Sequence, residues 1–423
     1  PPLTAPPVRP DPPHPPILRR RSSSAAGLRK LQIDLGAMSA APLPSDADAC
    51  LDRLARLGKR LVVVAAGGGS AAIAALATVP GASRVLSEGI VPHSREAFAG
   101  IVGGTPEGFC SARSARRLAM AAWDRCRRQG AAPEAAVGVS CTASLATTEA
   151  KRGEHRVFVA VQTLGMTSTV GLNLLKGRRS RAEEEEVAAA LVLDRLEEVV
   201  TGAPSTPRVD ALLLGGESLS LDDVVARPPW QDLLAGRGGR VCLSGSPDRE
   251  AAAAIFPGSF DPLHDGHRAM RRIAAGIVGR EVAYELSLRN VDKPPLDHAE
   301  IEARAAGFAG APAWLTSAAT FVEKVALFPR ATFVVGADTF ARLWDPRYHD
   351  DCPDRVRTAV DRIAEGAGGF VVFGRVRDGV FTDPATLPAP EPLRRMATFV
   401  PEEVFRDDVS STALRRATAA GGE

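Results

Sequence analysis

What this sequence lacks excludes several classes of function before any motif is read. Its six cysteines (Cys50, Cys110, Cys126, Cys141, Cys242, Cys352) stand singly, with no C-x-x-C pair among its 423 residues. That argues against a zinc ribbon and a disulfide framework, and reads the thiols as apolar groups in a reducing compartment. Aromatic residues are 5% of the chain and tyrosine occurs only as Tyr284 and Tyr348, too few for a surface that stacks single-stranded nucleic acid. An excess of one charge is also missing: 52 basic against 50 acidic side chains give a formal net charge of +2, so no global field attracts nucleic acid. No apolar run reaches the roughly 18 residues that span a bilayer; the run from Leu61 stops at glycines after Ala66. The expectation is a soluble, intracellular protein of the cytoplasm, with nuclear or organellar addresses open and neither nucleic acid nor membrane as partner.

What is present divides the chain. Residues 1–45 are Pro-rich and then Arg/Ser-rich with almost no acidic side chains, a composition that cannot bury enough apolar surface to fold. They read as a disordered leader, either a transit peptide or translated upstream sequence, since the first methionine is Met38. From 46 to 226 the pattern alternates: a helix up to Leu57, an apolar strand Arg60–Ala65, the turn Gly67-Gly68-Gly69-Ser70, a helix to Ala77, further strands at 136–140 and 155–162, and helices at 111–128 and 181–200. The stretch 227–250 is rich in Gly, Pro and Ser and reads as a linker. From 251 onward strands at 253–257, 282–286, 331–335 and 370–373 alternate with helices at 267–278, 298–306 and 338–343. Two α/β domains are expected, the second with a parallel sheet wrapped by helices.

The richest stretch of chemistry is Gly258-Ser259-Phe260-Asp261-Pro262-Leu263-His264-Asp265-Gly266-His267, directly after an apolar strand and directly before a helix. Open α/β sheets bind phosphates at such a junction, where a new helix presents unpaired N–H groups. Two of only seven histidines lie here, three residues apart; a lone one would more simply be a helix cap or a core residue. The stretch resembles the H-x-G-H signature of the nucleotidylyltransferase superfamily, which transfers a nucleoside monophosphate from a triphosphate and releases pyrophosphate. Val409-Ser410-Ser411-Thr412-Ala413-Leu414-Arg415 resembles that superfamily's I-S-S-T-x-x-R motif. Between them, Glu285–Pro294 and Phe333–Phe340 are similar to nicotinamide or nicotinate mononucleotide adenylyltransferases. The resemblance covers residues 251–418 and implies a Rossmann-like domain that moves AMP from ATP to the mononucleotide with Mg²⁺. On that reading His264, His267 and Arg415 stabilise charge in the reaction. Gly258, Ser259, Phe260, Asp261, Lys293, Gly336, Asp338, Trp344, Ser410, Ser411 and Thr412 bind substrates, with Trp314 a second candidate to stack on a pyridine ring. No residue is expected to bind metal directly. A helix N-cap would equally explain Asp338, and core packing either tryptophan.

Residues 46–226 resemble the C-terminal domain of the CinA family, whose active members deamidate nicotinamide mononucleotide with a serine and a lysine. Val79-Pro80-Gly81-Ala82-Ser83 and Gly89–Ala97 carry the likeness. Counting from them, Ala66 stands at the nucleophile position and Phe98 at the lysine position. Neither side chain can be activated by a base, so amidase chemistry by that route is absent, and Ser70 is a poor substitute a helical turn away. The domain reads as structural or oligomerising, a route to a homo-oligomer, or as a retained mononucleotide sensor. Two rivals to the adenylyltransferase stand: a cytidylyltransferase or another H-x-G-H transferase, and a pyridine-nucleotide sensor without turnover.

Overall fold

A computed structural model describes residues 47–149, 151–203, 208–245, 253–291, 293–377 and 380–406. The candidate residues Ser410, Ser411, Thr412 and Arg415, and the leader, lie outside the described residues.

In the first half, helix α1 (Ala47–Arg56) leads into β1 (Arg60–Ala66), α2 (Ser70–Ala77), β2 (Leu86–Ile90), α3 (Arg95–Val102) and α4 (Ala112–Arg128). Strands β3 (Ala136–Ser144), β4 (His155–Gln162) and β5 (Met166–Leu174), helix α5 (Arg181–Thr201) and β6 (Leu219–Val225) follow. The sheet order is β2-β1-β3-β4-β5-β6; β1 runs parallel to β2 and β3, and the rest alternate. Strand alternation sorts β1 between two cores. Leu61 and Val63 point with Val139 toward the apolar residues of α1 and α5, whereas Val62 and Val64 pack with Leu118, Ala122 and Trp123 of α4. Ser111 caps α4, its side chain accepting from the Ser114 N–H. Ser180 and Glu183 close a reciprocal capping box on α5. Helix α4 lies against bare backbone: a Cβ on Gly138 of β3 would stand 2.1 Å from the Ala119 carbonyl oxygen.

The stretch read as a linker is structured in its described part. It holds α6 (Pro228–Leu234) and β7 (Arg240–Ser244), and β7 is the antiparallel edge of the second sheet, paired with β10 (Ala313–Thr316). Composition alone had hidden this, because Gly236, Gly238 and Gly239 lead into a strand of only five residues.

The second half continues with β8 (Ala254–Pro257), α7 (Asp265–Val278), β9 (Ala283–Ser287), α8 (His298–Gly307), then β10, α9 (Phe321–Leu327), β11 (Thr332–Gly336) and α10 (Ala337–Ala341). It ends with α11 (Pro353–Gly366), β12 (Gly369–Phe373), the small hairpin of β13 (Arg375–Arg377) and β14 (Val380–Thr382), α12 (Glu391–Arg394) and β15 (Ala397–Val400). The sheet order β15-β12-β11-β8-β9-β10-β7 is parallel apart from β7. Chain order runs outward from β8 on one side and from β11 on the other. That is a doubly wound sheet with its switch point between β8 and β11, where ligands bind outside the strand carboxyl ends.

One apolar core crosses the molecule. Phe256, Phe260, Tyr284 and Ile301 of the second half pack in the same buried cluster as Leu118, Trp123 and Phe98 of the first.

Candidate active site

The turn after β8 is shaped from its backbone outward. A Cβ on Gly258 would stand 2.6 Å from the Phe260 ring, so no other residue fits without moving that ring. Phe260 has φ 44°, a left-handed conformation that a phenylalanine rarely takes. Its buried ring holds it there, edge-on to Tyr284 at 4.9 Å, Phe256 at 5.4 Å and Phe308 at 5.5 Å. With the phenylalanine folded inward, Ser259 and Pro262 are left exposed.

His264 is the N-cap residue of α7. Its backbone N–H donates to Nδ1 of His267 at 3.3 Å, and the two rings lie with centroids 3.8 Å apart. An accepting Nδ1 puts the proton of neutral His267 on Nε2. Burial first, then the electrostatic influence of His264 and of the Arg268 and Arg375 guanidiniums, pulls the His267 pKa down to about 3. At neutral pH the imidazole is therefore an uncharged N–H donor at the start of a helix.

Across the switch point, Gly336 at the end of β11 caps α10, and a Cβ there would meet open space. Asp338 lies in the first turn of α10 and pairs with Arg375 of β13, Nη1 to Oδ2 at 2.7 Å. Gly258 to His267 and Gly336 to Asp338 thus follow the carboxyl ends of two neighbouring parallel strands, β8 and β11. Arg375, which joins the two sides electrostatically, escaped the sequence reading; its only signal was a basic residue just beyond an apolar strand.

Other candidates fall elsewhere. Trp344 packs edge-on to Phe340 at 5.3 Å, against the buried core behind the sheet. Trp314 is buried in β10, with the Arg240 guanidinium over its ring at 5.1 Å and Phe328 beside it. Trp314 is buried, whereas Trp344 is half-buried. Lys293 lines a cavity of about 340 Å³ together with Arg289 and Asn290 of the second half and Ile101, Asp124 and Arg128 of the first, a cavity to which the H-x-G-H turn contributes no residue.

Asp261 is committed more heavily than its sequence suggested. It pairs with Arg113 of α4 and with Arg304 of α8 at 3.5 Å.

In the first half, Ala66 ends β1 and Phe98 is buried in α3 against Phe109, ring centroids 5.3 Å apart. Ser70 donates its hydroxyl proton to Glu185 at 2.9 Å. The glycine turn lies against the end of β3, a Cβ on Gly67 standing 2.1 Å from the Ala143 carbonyl oxygen.

Among the described residues, no helix is long and apolar enough to cross a membrane. No curated protein matches the chain. Solved structures similar to it include a competence-damaged protein (CinA) superfamily protein from Escherichia coli (17% identity, 37% of this chain and 90% of that one, TM-score 0.32) and a competence or damage-inducible protein from Enterobacter asburiae (20%, 37% and 96%, TM-score 0.32). A competence/damage-inducible protein from Agrobacterium tumefaciens is similar at 19% identity, over 38% of this chain and 98% of that one, TM-score 0.32. These neighbours cover the N-terminal part. The family model for cytidylyltransferase-like proteins matches residues 255–417. The second half of the molecule, built around the turn that carries His264 and His267, is a cytidylyltransferase-like nucleotidyltransferase domain.

Proposed function

We propose that the second half transfers AMP from ATP to nicotinamide or nicotinate mononucleotide. A phosphate oxygen of the mononucleotide attacks the α-phosphorus of ATP, the bond from that phosphorus to the bridging oxygen breaks, and pyrophosphate leaves. The dinucleotide formed is NAD or its nicotinate counterpart. No covalent enzyme intermediate is needed, so the protein's work is to align the reactants and offset charge. The observation that carries this reading is the neutral, Nε2-protonated His267 beside His264 at the switch point. Such a donor can bond a triphosphate oxygen without first losing a proton. The acceptor assignment is supported by the sequence likeness of residues 285–294 and 333–340 to mononucleotide adenylyltransferases.

Magnesium would ride on the triphosphate, neutralising the leaving pyrophosphate. The carboxylates of the crevice fit that division, since Asp338 is paired with Arg375 and Asp261 with Arg113, and Mg²⁺ in such sites draws most ligands from phosphate and water.

Cytidylyl transfer is the second reading, favoured by the description of the matching family model. The two are separated by pyrophosphate release with Mg²⁺ and ATP or CTP, with nicotinamide mononucleotide, nicotinate mononucleotide or no acceptor. Acceptor-dependent release from ATP, lowered about 10²- to 10³-fold in His267→Ala, is expected. Release from CTP alone, or silence with both mononucleotides in a folded protein, would remove the NAD reading.

A further inference from the structure

Helix α4 belongs by its hydrogen bonds and its packing on β3 and β4 to the first half, yet its N-terminal turns end on the phosphate-binding turn of the second. Arg113, in its first turn, reaches three carboxylates. Its guanidinium pairs with Asp261 of the turn, with Glu300 of α8 at 2.8 Å and with Glu107 at 3.3 Å. Arg304 closes the cluster from α8, 2.6 Å from Glu300 and 3.5 Å from Asp261. One turn further on α4, Arg116 pairs with the buried Asp297 that caps α8, at 3.5 Å. The cluster is mostly covered: side-chain exposure is 25% for Arg113, 21% for Asp261 and 10% for Glu300. Screening by water is therefore reduced, and a planar fork that binds several acceptors fixes direction as well as distance.

Asp261 immediately follows Phe260, the residue held in the left-handed conformation, and stands three residues before His264. The turn has two anchors: the Phe260 ring pulls it into the core from below, and Arg113 holds its carboxylate from the side. We infer that α4 is a working part of the transferase site, with Arg113 as the positioning residue that keeps the turn 258–264, and so the two histidines, in place for the triphosphate. The first half then has a task that needs no chemistry of its own. The activity part of this inference rests on the proposed nucleotidyl transfer; the positioning part does not.

The test uses the full chain with Arg113→Ala, Arg113→Lys and Asp261→Asn, and Arg125→Ala as control. Arg125 lies on the same helix but pairs with the exposed side of Glu88 in β2. Hydrogen exchange of the peptide containing 258–264 is read first. Arg113→Ala and Asp261→Asn should each speed exchange there by tenfold or more, Arg113→Lys by less, and Arg125→Ala not at all. In pyrophosphate release, kcat/KM for the triphosphate should fall at least tenfold in the first two, with Arg113→Lys between them and wild type. The double variant Arg113→Ala/Asp261→Asn should cost less than the two single effects added together, because both singles remove the Arg113–Asp261 pair. Unchanged exchange in the turn, with kcat/KM within twofold of wild type, would overturn the inference. Should Arg113→Ala fail to fold, Asp261→Asn decides, since it leaves the bonds to Glu300 and Glu107 intact. If wild type releases no pyrophosphate from ATP or CTP, the proposed function fails, and the exchange data alone decide whether Arg113 positions the turn.

Discussion

His267 sets the acid–base behaviour expected of the crevice. Its pKa of about 3 lies well below the usual histidine value, so the folded state keeps it neutral where an unfolded chain would take up a proton. Its contribution to stability is therefore whole above pH 6.5 and is lost progressively as the pH falls from 6.5 toward 3. The kcat/KM profile for the triphosphate should accordingly carry no limb from His267 between pH 6 and 8. A limb in that window that vanishes in His267→Asn would contradict the neutral donor. At this scale the sequence was partly legible. The histidine pair and Gly258 were visible because motif spacing is local. Arg375 and Arg113 were not, since each acts on the turn from a distant point of the chain, 108 and 154 positions from His267. For Trp344 and Trp314 the sequence left two roles open, because an aromatic residue carries no sequence signal that tells a packing ring from a stacking one.

Elements were legible where apolar periodicity was strong. The expected strands at 60–65, 155–162 and 331–335 and the helices at 111–128 and 181–200 stand in the structure within a residue or two. Strand β5, with Thr167, Ser168, Thr169 and Asn173 among its nine residues, showed no apolar alternation; it lies between β4 and β6, with Thr167, Ser168 and Thr169 buried and Asn173 exposed. Helix α9 is short enough to pass as a loop, and its role appears only in three dimensions. Lys324, nearly buried, donates to both carboxylate oxygens of Glu285 in β9 at 2.8 Å, and to the Ser287 hydroxyl. Lys324→Met should cost about 3–5 kcal/mol in denaturant unfolding, because it strands a buried carboxylate. Adding Glu285→Gln should recover most of it. Equal losses in the single and double variants would show that packing of the stem, and not charge, makes the contact.

For the whole molecule, the two sheets behave as one body because they share a core. The buried cluster runs from Val62 and Leu118 to Phe256 and Ile301, and the second sheet has its edge strand β7 upstream of the junction. A fragment beginning at residue 253 would lose that strand and expose the apolar side of Phe260, Tyr284 and Ile301. It should express poorly or aggregate, whereas 47–423 should unfold in one cooperative transition; two well-separated calorimetric transitions would contradict the shared core. None of this was legible beforehand, since domain boundaries were read from Gly, Pro and Ser content, which reports chain flexibility and is blind to long-range pairing. Gly138 shows what such sharing does to mutational tolerance. With 2.1 Å between its missing Cβ and the α4 backbone, a single added methyl would lift the helix from β3 and carry Arg113 with it, so a substitution in the first half would surface as a defect in the second. A screen for loss of the proposed transfer should therefore find the small residues under α4 as well as those of the turn itself.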